Sequence, residues 1–183
     1  MPIGNRSRRA FGTVVLVALA MAGCSSDDTR VVDGVRQVPN FANAAEVKEA
    51  SDVVAVVQVE KEAFRGDIRE MPSTIFEVRV VDAVKNAANG DKLRVRQFTE
   101  NGNVRFEDGV QDELQPGRRY LLFLAEEFPG HEAGGDKQLI GLYGILRTTA
   151  AYEETGEGRF RMVPGLQPAG PIPTDIARPE LTS

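Results

Sequence analysis

Apolar and polar positions alternate through the middle of this chain in short runs, and no long stretch carries the spacing of an amphipathic helix. From Asp52 to Glu60 the residues are dense in valine, apolar throughout at first and then alternating, as a strand reads when it leaves a covered centre for a wet rim. Thr74 to Lys85 sets Phe76, Val78 and Val80 against Glu77 and Arg79, which predicts a second strand with one packed face, and the doublet Val80-Val81 marks a bulge. Turn residues from Asn86 to Asp91 lead into Lys92-Leu93-Arg94-Val95-Arg96, a third strand that closes a hairpin. A polar loop from Glu100 to Gln115 follows. Pro116-Gly117 then turns the chain into Arg119 to Ala125, apolar on both parities and so the most buried strand expected. Leu139 to Leu146 is a fifth strand, in which Gly141 and Gly144 signal a bend or a close backbone approach. A turn through Glu153 to Gly158 returns as Arg159 to Val163.

One short helix is expected over Asn43 to Ala50, capped at Asn40 or Asn43. Five or six short strands with this small N-terminal helix predict an all-β fold, either a partly open OB-like barrel or a small sandwich, because closure removes exposed edges. The domain is expected over residues 41 to 164. Residues 24 to 40 offer only scattered valines and read as a flexible tether. Pro164, Pro168, Pro171, Pro173 and Pro179 break up the C-terminal end, which predicts a disordered tail over 165 to 183.

The N-terminus has a different pattern. Arg6, Arg8 and Arg9 precede an apolar run from Ala10 to Gly23, which as a helix spans only about 21 Å against a hydrocarbon core of about 30 Å. That length suits a signal segment better than a permanent span. Ala20-Met21-Ala22-Gly23-Cys24 resembles the lipobox of bacterial lipoproteins, with Met21 where Leu is usual. The resemblance implies a signal peptide over 1 to 23, acylation of Cys24, and attachment to the extracytoplasmic face of the cell membrane. The alternative is ordinary signal cleavage, since Ala18-Leu19-Ala20 and Ala20-Met21-Ala22 are also small-x-small sites. Cys24 is the only cysteine, so the exported chain has no internal disulfide.

Ser51 to Val59, Phe76 to Lys85 and Pro116 to Leu124 resemble the strand pattern of uncharacterised exported proteins of high-GC Gram-positive bacteria. That pattern is similar to the OB-like barrel of metalloproteinase inhibitors and netrin modules, and it covers about residues 50 to 163. Those inhibitors act through a disulfide-held N-terminal cysteine, whereas here the sole cysteine is the lipid site. The resemblance therefore implies fold and not inhibition.

Charge narrows the partners. The net charge of -5 becomes -8 once the three signal arginines are removed, so the exported chain would repel phosphate backbones and no nucleic acid is expected. His131, the only histidine, lies in a loop-like segment, and no exported serine sits in a Gly-x-Ser-x-Gly turn. One histidine and no free thiol cannot make a transition-metal site, and no cofactor is implied. Glu107, Asp108, Asp112 and Glu113 could reach calcium, but such acidic loops are usually solvated. Of the three tyrosines, Tyr120, Tyr143 and Tyr152, the last falls in an expected loop and is the one open to a stacking ligand.

Arg79, Lys92, Arg94 and Arg96 fall on the expected wet face of the hairpin, where they would form a basic stripe for an anionic partner such as lipid head groups or cell-wall phosphates. The plainer reading is cross-strand pairing with Glu77 and Asp82. The sequence thus points to a monomeric, non-catalytic binding or interaction module, joined to the membrane through Cys24 and meeting a protein or cell-envelope partner. A cell-envelope enzyme of unrecognised type and a structural envelope protein are the alternatives.

Overall fold

The computed structural model describes residues 29–32, 41, 43–106, 110–129, 139–146, 150–156, 158–164 and 173–178. It is all-β with one short helix. The strands are β1 (Arg30–Val32), β2 (Val53–Ile68), β3 (Met71–Lys85), β4 (Lys92–Phe98), β5 (Val104–Phe106), β6 (Arg119–Glu126), β7 (Leu142–Ile145), β8 (Ala151–Gly156), β9 (Arg159–Met162) and β10 (Asp175–Ala177), with α1 over Ala44–Ala50. Five of them close a ring. β2 pairs antiparallel with β3 and β3 with β4, β4 lies parallel to β7, β7 returns antiparallel to β6, and β6 pairs with β2. It stops short of a clean barrel because both seams of β7 are brief: Arg94 to Arg96 on one side, Leu124 to Glu126 on the other.

Outside the ring, β8, β9 and β10 extend the sheet from β6, whose far edge is shared between β8 and β7. This gives β2 and β6 a packed layer on each face, which is why their apolar residues fall on both parities. Inside the ring Val53, Ala55, Val57 and Val59 meet Phe76, Val78, Val80, Leu122 and Leu124. On the outer side Val54, Val56, Leu121 and Phe123 meet Val47 of α1, Tyr152, Phe160 and Ile176. β6 is buried from Tyr120 to Leu124, as its pattern predicts.

The helix starts where Asn43 accepts the Glu46 N–H at 3.0 Å. At its other end the Lys85 ammonium donates to the carbonyls of Lys48, Glu49 and Ser51 at 3.0, 2.8 and 2.5 Å, which places a cation at the negative end of the helix.

The hairpin of β2 and β3 is longer than the sequence suggests. β2 continues eight residues past Glu60 to Ile68, and its turn is Arg69-Glu70, both at positive φ of 49° and 64°. A turn of this shape normally announces itself with Asn or Gly, and neither is present. Register slips leave Val81 and Val84 extra on β3, and Glu60 and Ala63 extra on β2. Val81 confirms the bulge read from the valine doublet. Such insertions bend a strand, and here they carry the hairpin around the ring.

Three expected irregular segments also pair. β1 lies in the expected tether and runs parallel to β5, itself inside the expected polar loop. β10 lies in the expected disordered tail and pairs with β9, burying Ile176, so the main sheet passes residue 164, while β1 and β5 make a separate two-stranded sheet that starts before residue 41. Pro173 and Thr174 keep this strand on course, because their carbonyls accept from the Tyr152 hydroxyl at 3.1 Å and the Met162 N–H at 2.8 Å.

We predict that Ile176→Ala destabilises the fold by about 2–4 kcal/mol in urea unfolding, the usual loss for a large-to-small change in a core. An unchanged midpoint would mean that β10 does not belong to the cooperative unit.

Candidate functional site

The four basic residues of the expected stripe do not share one wet face. Arg79 and Lys92 sit opposite each other in the β3–β4 register, and both turn to Glu60. Arg79 Nε donates to Glu60 Oε1 at 2.7 Å, and Lys92 Nζ lies 3.4 Å from Oε2. Glu60 is the extra residue of a β2 bulge, so the bulge places a carboxylate between two like charges that would otherwise repel. These hydrogen bonds hold the Glu60 carboxyl below its ordinary range. The remaining expected partners are used elsewhere: Glu77 meets Lys61 at 3.2 Å, and Asp82 pairs with Arg178. An incoming anion at Arg79 and Lys92 would have to compete with Glu60.

Arg94 is half-buried and donates to the Ile140 carbonyl at 3.4 Å. Arg96 is a correction to the expected stripe, because it is buried rather than solvated. Its Nη1 donates to Glu127 Oε2 at 2.7 Å, its Nε to Ser73 Oγ at 2.9 Å and its Nη2 to the Ile68 carbonyl at 3.0 Å, while its guanidinium lies 4.4 Å from the Phe98 ring centroid. The outer face of β3 and β4 is dry here because Ile68, Ile75, Leu139 and Leu142 form a separate apolar cluster on it, with Phe64 and Phe128 at its margin.

Gly144 makes the Arg96–Glu127 pair possible. It pairs with Arg96 across one seam of β7 and with Ala125 across the other, and the Glu127 side chain crosses its bare Cα. A Cβ there would stand 2.8 Å from Glu127 Cγ and 2.9 Å from Cδ. The glycine in a strand thus marks a close approach, as its sequence position suggests.

Opposite Arg96, Gln97 faces into the molecule and holds the loop from Gln111 to Gln115. Its amide donates to the carbonyls of Gln111 and Asp112 at 3.1 and 2.8 Å and its oxygen accepts the Leu114 N–H at 3.0 Å. Gln111 in turn donates to the Ala151 and Val163 carbonyls at 3.3 and 3.2 Å. Sequence reasoning singles out neither Gln97 nor Gln111, and it places Arg96 on the wet face because nothing in the alternation of Lys92 to Phe98 separates Arg96 from Arg94.

Tyr152 is a second correction: it lies on β8, 1% exposed, and packs edge-on to Phe123 with ring centroids 6.1 Å apart. It offers no stacking platform. Glu113, an expected calcium candidate, accepts from Arg65 at 2.7 Å. Cys24, His131, Glu107 and Asp108 lie outside the described residues. Among the described residues no group of three or more His, Cys, Asp or Glu could hold a metal ion, and no helix is long and apolar enough to cross a membrane. Comparison with protein-family models, curated proteins and solved structures finds no match.

Two predictions follow from this geometry. Gly144→Ala should destabilise by about 1–3 kcal/mol, as overpacking does, and should become nearly neutral when Glu127→Ala has already removed the obstructing side chain. An equal cost in both backgrounds would show that the Glu127 crossing is not the cause.

The second is alkaline. Burial pushes the phenols of Tyr120, Tyr143 and Tyr152 above their ordinary range, with Glu126 and Asp52 adding to it at Tyr143. Above about pH 10 the unfolded chain then releases phenolic protons that the folded chain keeps, so stability falls as pH rises. The melting temperature should drop there, and Tyr152→Phe should flatten the decline. An identical slope in the variant would remove Tyr152 from the account.

Proposed function

We propose that this chain is a membrane-anchored extracytoplasmic lipoprotein whose β domain is a non-catalytic binding or interaction module. The observation that carries the reading is Cys24, the sole cysteine, placed directly after an apolar run and Ala22-Gly23. A lone thiol is an unusual thing to export, and acylation accounts for it. Two acyl chains at about 0.8 kcal/mol per buried methylene hold a protein far more firmly than one. The described domain suits such a role because its ring, helix and added strands are joined by packing, hydrogen bonds and ion pairs that need no cysteine.

Protein made in a bacterial host that acylates lipoproteins should carry label from radioactive fatty acid, stay with membranes in high salt and enter detergent. Cys24→Ala should abolish the label. Salt matters because a domain held only by surface charge would wash off as ionic strength rises. Unlabelled wild-type protein in the medium, with its N-terminus at Met21 or Gly23, would overturn the reading in favour of a plainly secreted domain.

A further inference from the structure

The first described residue, Thr29, lies five positions beyond Cys24, and an extended chain of that length reaches at most about 18 Å. An acyl group on Cys24 would therefore keep β1 near the head groups whatever the rest of the domain did. In the β1–β5 register Val31 stands opposite Arg105. Val104 and Phe106 turn inward and are buried, Phe106 against Phe98 at 5.6 Å between ring centroids, which leaves Val31 and Arg105 on the outward face. Val31 is 63% exposed, more than any other large apolar side chain among the described residues.

Arg105 is exposed and has no carboxylate partner among the described residues. Of the described acids, Glu70 turns to Arg30 at 3.6 Å, and Glu100 accepts the Phe106 N–H at 3.1 Å. We propose that this outward face, Val31 beside Arg105, is where the domain rests on an anionic phospholipid surface; the inference depends on the lipoprotein reading above. An apolar side chain next to an exposed guanidinium suits the head-group boundary, where the one meets acyl chains and the other bonds phosphate. With a charge of -8 on the mature chain, most other faces are repelled by such a surface. The tether raises the effective concentration of this one contact, so a weak attraction is enough to orient the domain.

The chain contains no tryptophan, so a single introduced one is a unique emitter. Residues 24 to 183 can be joined through the Cys24 thiol to a maleimide lipid in vesicles of phosphatidylglycerol and phosphatidylcholine, which supplies the anchor independently of cellular acylation. Quenching by lipids brominated near the head group is then compared for Val31→Trp and Ala88→Trp. Ala88 is exposed in the β3–β4 turn, at the opposite end of the fifteen-residue β3 from the Arg69-Glu70 turn that meets Arg30.

The expected result is quenching several-fold stronger at position 31 than at 88, reduced by Arg105→Glu and by salt. Equal quenching, or stronger quenching at 88, overturns the proposal. Hydrogen exchange on the unsubstituted tethered chain gives the same decision without a variant: Arg30–Val32 and Val104–Phe106 should exchange more slowly on phosphatidylglycerol vesicles than on phosphatidylcholine alone, and no difference overturns it. Fatty-acid labelling decides the anchor separately, so failure of the anchor and failure of this face are distinguishable.

Discussion

The ring is held at its weakest place by one ion pair, its arginine buried and its glutamate mostly so. β7 joins β4 and β6 through brief seams, and the Arg96–Glu127 pair spans both of them over Gly144. Removing two charges from water costs several kcal/mol per ion, and only complete hydrogen bonding offsets that. Each nitrogen of the Arg96 guanidinium makes one such bond, to Glu127, Ser73 and the Ile68 carbonyl, and Phe98 covers its plane. The same guanidinium therefore ties β4 to β3, to the end of β2 and to the residue after β6. Each of those elements has its position fixed partly by this contact.

Closure brings a second constraint, because the ring cannot bury all the apolar surface that β2 and β6 carry. Their even-numbered and odd-numbered residues face different cores. The outer core is complete only when α1 and β8 to β10 cover it, and Ile176 closes its far side. The chain near its C-terminus is thus structural, and the Arg178–Asp82 pair fastens it to β3.

Much of this was legible in the sequence, for physical reasons that can be stated. Valine-rich alternation located the centres of β2, β3, β4 and β6, because the period of two is imposed by the packed face. Of the two caps the sequence offers, Asn40 and Asn43, the helix uses Asn43, and of Gly141 and Gly144 the close approach is at Gly144. What could not be read were features in which side chains carry no periodic signal. The distal half of β2 pairs through its backbone around two bulges and ends in a turn without Asn or Gly. β1, β5 and β10 are too short for a period to develop. Alternation specifies a face and says nothing of what covers it, so it cannot tell the buried Arg96 from a solvated one. The acidic run after Tyr152 hides the strand that carries it.

The functional proposal concerns where the domain is held, while the fold shows how it stands without a disulfide. Its central claim is that the Arg96–Glu127 pair closes the ring, and a double-mutant cycle with Arg96→Met and Glu127→Leu, read by urea unfolding, tests that most directly. Each single change should cost about 3–5 kcal/mol by leaving a buried charge unanswered, and the double change far less than the sum. Small, additive losses within about 0.5 kcal/mol would contradict the account.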